Sequence, residues 1–231
     1  MPCAPTDDGG LKATMEPEIA SWQRGEGRRL LERVGVSAGA TVLDFGSREG
    51  NYATAAAHLV GPEGTVYALD KDSKALDGLA DRLAAEGIRN VVRVQTSGDP
   101  PLPLEDASVD VVLAYDVIHL IGWRGGESGE TVRRSTASDR RPVLAELARV
   151  CRPSAVLSIY CPHLDTHTDV DAEEDIIDEV AGQGFHLRDG LHAQLVHDSK
   201  MVRGHIMNFA KASAPATARN RPFPMPQPGH N

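Results

Sequence analysis

Several things are scarce in this 231-residue chain, and each scarcity excludes something. There are only three cysteines, Cys3, Cys151 and Cys161, an odd count with no CxxC spacing. Neither a disulfide framework nor a zinc knuckle is expected, and a reducing cytoplasm is the expected compartment. No apolar run is long enough to span a bilayer. The first ten residues, MPCAPTDDGG, lack the apolar core of a signal peptide. Positive charge is also short: 24 Lys and Arg against 33 Asp and Glu leave a net charge of −9. A chain so acidic has no general attraction for nucleic acid or an anionic membrane, so neither partner is expected. No internal repeat is visible.

What is present is an ordinary globular composition, with 41% hydrophobic and 25% charged residues. Residues 1–16 are polar and are expected to be disordered. Residues 212–231 hold Pro215, Pro222, Pro224, Pro226 and Pro228 and are expected to form a disordered tail. Between them, 17–211 is long enough for one domain with a real core.

Within that domain strands and helices alternate. A helical stretch over 17–35 puts Trp22, Leu30, Leu31 and Val34 on its apolar side. Strand-like runs follow at 41–45, 65–69, 91–95, 109–115 and 155–161. The intervening helices are expected at 51–60, 73–86 and 142–151, with a further one at 171–183. The run 109–115 is nearly all apolar, as in a strand buried on both faces. Residues 123–141 are polar and Gly-rich and are read as an insertion. Two late runs, 185–196 and 205–209, are close enough to pair as a hairpin. The alternation calls for an α/β fold, a parallel sheet with helices on both faces. The hairpin adds an antiparallel strand to it.

In such a sheet the ligand lies beyond the carboxyl ends of the strands. The first strand ends in Asp44-Phe45-Gly46-Ser47-Arg48-Glu49-Gly50-Asn51, and a helix follows at once. Glycines there allow a tight turn and let a ligand approach the backbone N–H groups. The second strand ends in Asp70, followed by Lys71; a carboxylate at that place can accept both ribose hydroxyls of a nucleotide. Either feature alone also fits an ordinary βα turn with an exposed acid. The pair in this register points to a nucleotide site.

These residues carry a resemblance. VLDFGSREGNYATAAAHLVGPEGTVYALD resembles the first glycine motif and following acidic motif of class I S-adenosylmethionine-dependent methyltransferases. The small bacterial and archaeal members read VLDFGCGPG, then LVGPEGKVYALD. DASVDVVLAYDVIHLI resembles their fourth-strand segment, and LAELARVCRPSAVLSIYCPH the helix and turn before strand five. The likeness spans about residues 17–211. It implies a three-layer Rossmann-like fold with a mostly parallel seven-stranded sheet, order 3-2-1-4-5-7-6, strand seven antiparallel. It implies S-adenosylmethionine as cofactor, held by Asp44, Gly46, Ser47, Arg48, Gly50, Asn51, Asp70 and Lys71. Ser97, Gly98 and Asp99 would meet the adenine, and Tyr115, at the end of strand four, would also contact the cofactor. Two positions depart from the pattern: Arg48 stands where the family has a third glycine, and Ser154-Ala155 replaces Gly-Gly. The Arg48 guanidinium could pair with the methionine carboxylate, or the side chain could crowd the site.

Methyl transfer needs no acid for its leaving group, and a base only where the acceptor holds its proton tightly. The candidates are Asp116 and His119, three residues apart at the end of strand four. His163-Leu164-Asp165-Thr166-His167 alternates His with Asp and could hold a metal, but two ligands in one loop are read as a solvated stretch, and no metal is expected. Cys151 and Cys161 are read as buried free thiols. The resulting expectation is a methyltransferase for a small or medium organic acceptor; the alternative is a catalytically silent binding module of the same fold. A nicotinamide-dependent oxidoreductase is disfavoured, because Gly46 and Gly50 do not make G-x-G-x-x-G. Residues 123–141 are read either as a lid over the acceptor, whose five arginines, Arg124, Arg133, Arg134, Arg140 and Arg141, would favour an anionic acceptor, or as a solvated insertion without a role.

Overall fold

The computed structural model describes residues 9–124, 133–169 and 172–212, without the side chains of residues 9–16, 165 and 166. Two helices, α1 (Gly9–Arg24) and α2 (Glu26–Val34), precede β1 (Thr41–Phe45). Then come α3 (Asn51–Val60), β2 (Thr65–Asp70), α4 (Ser73–Glu86), β3 (Val91–Gln95) and β4 (Val109–Tyr115). A single 3-10 turn (Ile118–Leu120) leads towards α5 (Ala137–Val150) and β5 (Cys151–Tyr160). The described residues close with α6 (Leu164–His167), α7 (Glu173–Ala181), β6 (Phe185–His197) and β7 (Lys200–Lys211). The sheet order is β3-β2-β1-β4-β5-β7-β6, with β7 antiparallel to both neighbours and the other pairings parallel.

Local signals explain most boundaries. Asp72 caps α4 by accepting from the backbone N–H of Lys74 and Ala75, and Gly87 ends it in the left-handed conformation. Helix α5 starts five residues before the expected position, because Thr136 and Asp139 form a reciprocal capping box ahead of Pro142. Helix α1 begins at Gly9, so part of the segment expected to be disordered is helical. Residues 1–8 and 213–231, and with them the rest of both terminal expectations, lie outside the described residues.

The sheet separates two apolar layers. Along β4, Val111, Leu113 and Tyr115 join the cluster under α1–α4, while Val112 and Ala114 join the cluster under α5 and α7. This strict alternation is what period-two side chains on a doubly covered strand require. Each fully buried Val or Leu contributes about 1.5–3 kcal/mol. Trp22 seals the first layer: its ring meets Tyr52 edge-on at 5.4 Å and its indole N–H donates to Gln194 at 3.0 Å. In the second layer Arg140 is fully buried. It donates to both carboxylate oxygens of Glu179, to Asp169 and to Ser135. A buried guanidinium is tolerated only with such complete pairing. Residues 133–141 are therefore anchored in the fold, and Arg140 is not free to meet an acceptor. Residues 125–132, the middle of the expected lid, lie outside the described residues.

Candidate active site

The carboxyl ends of β1 and β2 converge on one turn. Gly46 (φ 79) and Gly50 (φ 73) both adopt the left-handed backbone that side chains resist. A Cβ on Gly46 would also lie 2.6 Å from Val117, and one on Gly50 would run into Leu79. Arg48 has φ 47 and Ser154 has φ 70. At both departures from the family pattern the backbone thus keeps a glycine-type conformation, and each carries a strain of about 1–2 kcal/mol.

Asp44 is almost fully buried, and its Oδ2 has no hydrogen-bond partner. Burial pushes its carboxyl up to about 7. Ser47 is buried with an unpartnered hydroxyl. Asp70 accepts the backbone N–H of Arg48 at 2.7 Å and of Asp72 at 2.9 Å, which fixes the carboxylate beside the turn. Each of its oxygens keeps a further lone pair. Gly98 (φ 83) lies over the ring of Phe45, while Ser97 and Asp99 are exposed and joined by a bond from the Asp99 N–H to the Ser97 hydroxyl. Orphaned polar atoms in a cleft built on two left-handed glycines fit a polar nucleotide cofactor.

Other expected cofactor residues are engaged within the protein or exposed. The Asn51 amide oxygen accepts from Gln23 and Arg82, and Lys71 is exposed. Tyr115 is buried in the first apolar layer, its hydroxyl 2.8 Å from that of Ser158. The Arg48 guanidinium turns outward to Asp198, 3.1 Å away, in the turn between β6 and β7. It is thus already engaged by the protein's own carboxylate.

The expected acceptor residues lie next to this turn, since Val117 packs on Gly46 and Asp116 precedes it. Asp116 has φ 58, and its Oδ2 is 2.6 Å from Nδ1 of His197. Burial raises its carboxyl above the usual range, although His197 pulls the other way. Nε2 of His197 is 3.1 Å from Nε2 of His163. The expected partner, His119, is instead buried at 2% exposure, 3.6 Å from Asp116. Burial and its histidine neighbours press it down to about 3, so it is a neutral packing residue and a poor base. Cys161, 3.7 Å from His119, is pushed up to about 12 by burial, and Cys151 likewise. Both are free, as expected, and neither is a reactive thiol at neutral pH. The rings of His163, His167 and Trp123 stack in series beside them.

His197 had no signal in the sequence. It is brought to Asp116 only because β6 and β7 turn through Asp198 and Ser199, both with positive φ, as a two-residue hairpin turn requires.

A sheet with a reversed seventh strand, and a glycine turn facing an acid across β1 and β2, defines a methyltransferase-type architecture. Comparison with known proteins agrees. A methyltransferase-domain family matches residues 43–159. The chain is similar to the methyltransferase GfsG of Streptomyces halstedii, 32% identical over 132 residues that cover 57% of this chain and 41% of that protein. The chain thus matches about two fifths of that relative's length. It resembles the structure of a S-adenosylmethionine-dependent methyltransferase from Aquifex aeolicus, with a TM-score of 0.63, 20% identity and coverage of 86% and 97% of the two chains. An arsenic(III) S-adenosylmethionine methyltransferase from Chlamydomonas reinhardtii shares the fold at a TM-score of 0.54, 22% identity and coverage of 79% and 66%. The chain belongs to the methyltransferase-domain family, a class of S-adenosylmethionine-dependent enzymes. Among the described residues no helix is long and apolar enough to cross a membrane.

Proposed function

We propose that the chain methylates a protic group, a hydroxyl foremost, on a small organic acceptor held over Asp116, His163 and His197. The observation that carries this reading is the 2.6 Å Asp116–His197 pair standing next to the cofactor turn. Gly46, Ser47, Gly50, Asp44 and Asp70 would hold S-adenosylmethionine, with Gly98 against its adenine. When bound, it supplies a methyl group on a positively charged sulfur, a leaving group that departs neutral and needs no acid.

The chain's own residues then have three tasks. The glycine turn fixes the cofactor. The β6–β7 turn, tied to Arg48 through Asp198, closes one side of the site and helps exclude water. The cluster of Asp116, His197 and His163 takes the acceptor's proton, which a hydroxyl holds too tightly to methylate readily without help. His119, neutral and buried, supports the cluster from behind.

Titration with S-adenosylhomocysteine by calorimetry tests the cofactor half. Binding in the micromolar range is expected, and no heat at millimolar ligand would overturn the reading in favour of a silent module. Turnover of S-adenosylmethionine against paired hydroxyl and thioether acceptors tests the other half. Preference for the thioether, which has no proton to lose, would overturn the proton-taking role.

A further inference from the structure

We infer that Asp116, His163 and His197 form a binding site for a divalent transition metal, zinc by the chemistry of its donors. Three separate parts of the chain converge there: the end of β4, the loop after β5 and the end of β6. One ligand atom from each lies within 4.8 Å of the other two. The two imidazole Nε2 atoms face each other at 3.1 Å. That is close to the edge of a tetrahedron around a cation with metal–nitrogen bonds of about 2.0–2.1 Å, roughly 3.3 Å.

The remaining atoms are arranged as a metal needs them. Nδ1 of His197 meets Oδ2 of Asp116 at 2.6 Å. With the proton on Nδ1, the Nε2 lone pair is presented to the shared space, which is how a carboxylate orients a metal-binding imidazole. The second oxygen, Oδ1, is buried and has no hydrogen-bond partner. Its nearest ionisable neighbour is the neutral imidazole of His119, 3.6 Å away. The carboxylate that meets Nδ1 lies across the ring from Nε2, so Asp116 orients His197, and the two Nε2 atoms are the donors aimed at the shared space. Asp198 adds a second carboxylate, 3.5 Å from Nε2 of His197.

Two imidazoles with a carboxylate suit zinc and other borderline first-row cations, whereas magnesium and calcium prefer oxygen alone. The two Nε2 atoms and the Asp198 carboxylate make three protein ligands and leave a fourth position open. With a cation bound, the imidazoles would serve as ligands in place of the base of the metal-free site, and the cation would ease loss of the acceptor's proton to solvent by stabilising the alkoxide. This use rests on the methyl-transfer reading; the metal site itself does not.

The test uses the tag-free full chain, stripped with a chelator and titrated with zinc chloride by calorimetry near neutral pH. One zinc per chain is expected, with no heat from magnesium chloride. His163→Gln and His197→Gln should each weaken zinc binding by about tenfold or more, and the double variant should abolish it. Cobalt loaded in place of zinc should give visible bands that shift in Asp116→Asn. Melting temperatures of the metal-free variants, and their affinity for S-adenosylhomocysteine, report folding separately. No zinc binding by the wild type, or equal binding by a folded double variant, overturns the inference. Loss of S-adenosylhomocysteine binding with zinc binding intact would strike the methyl-transfer reading and leave the metal site standing.

Discussion

The two halves of the proposed site, one for the cofactor and one for the acceptor, are built differently. The cofactor half is local: Asp44 to Asp70 is one β1–α3–β2 unit, and its geometry follows from two glycines and an acid at strand ends. The acceptor half is assembled from afar, with Asp116, His163 and His197 on different segments and the hairpin turn supplying the last of them. The difference shows in the polar atoms. In the cofactor half Asp70 is held by backbone N–H groups of its own neighbourhood. In the acceptor half the hydrogen bonds of His197 reach residues far off in the sequence, Asp116 and His163.

Substitutions can separate these halves. The largest effect is expected at His197. His197→Leu should lower turnover by about 10²–10⁴-fold while S-adenosylhomocysteine affinity changes less than about twofold. Steady-state kinetics beside calorimetry would show it, and a parallel loss of both would erase the distinction.

Asp44 should have the next largest effect, through pH. Its carboxyl titrates at about 7 in the folded chain against 3.8 as the reference value. Between those values the folded state keeps a proton that the unfolded state has released. Stability is therefore full below the window and falls as pH rises through it, by on the order of 4 kcal/mol. Asp44→Asn should flatten that slope in denaturant midpoints measured across the window.

Asp70→Ala should weaken S-adenosylmethionine binding by about 1.5–3 kcal/mol, because the charged acceptor and the brace on Arg48 are both lost. Unchanged affinity in the folded variant would show that the cofactor half does not depend on its acid.

The smallest effect is expected where the halves meet. The Arg48–Asp198 pair is largely exposed on both sides and contributes at most about 1 kcal/mol. Arg48→Gly also relieves the positive φ, so the two changes should nearly cancel in melting temperature. A double-mutant cycle with Asp198→Ser should give a coupling below about 1 kcal/mol; a larger value would mean that the turn is clamped rather than tied.

The sequence by itself determined the sheet and the cofactor turn. Strand and helix periods, glycines at a strand end and an acid after β2 are all short-range patterns, and the backbone conformation they require is decided within a few residues. The strand order is not short-range; it was implied by the resemblance, together with the late hairpin, and is the order observed. Helix starts were less legible. Pro142 marked a boundary in the sequence, yet the capping pair Thr136 and Asp139 placed it earlier. Arg140 lies in the stretch read as a lid, yet Glu179 and Asp169 close on it in the interior. Only the tertiary structure decided the acceptor side. His119 sits three residues from Asp116, but the 3-10 turn carries it into the interior. His197 lies 81 residues away, and a two-residue turn puts it within 2.6 Å. Spacing along a chain can specify neighbours on one helix or one strand end; it holds no record of which distant segment a sheet edge will bring alongside.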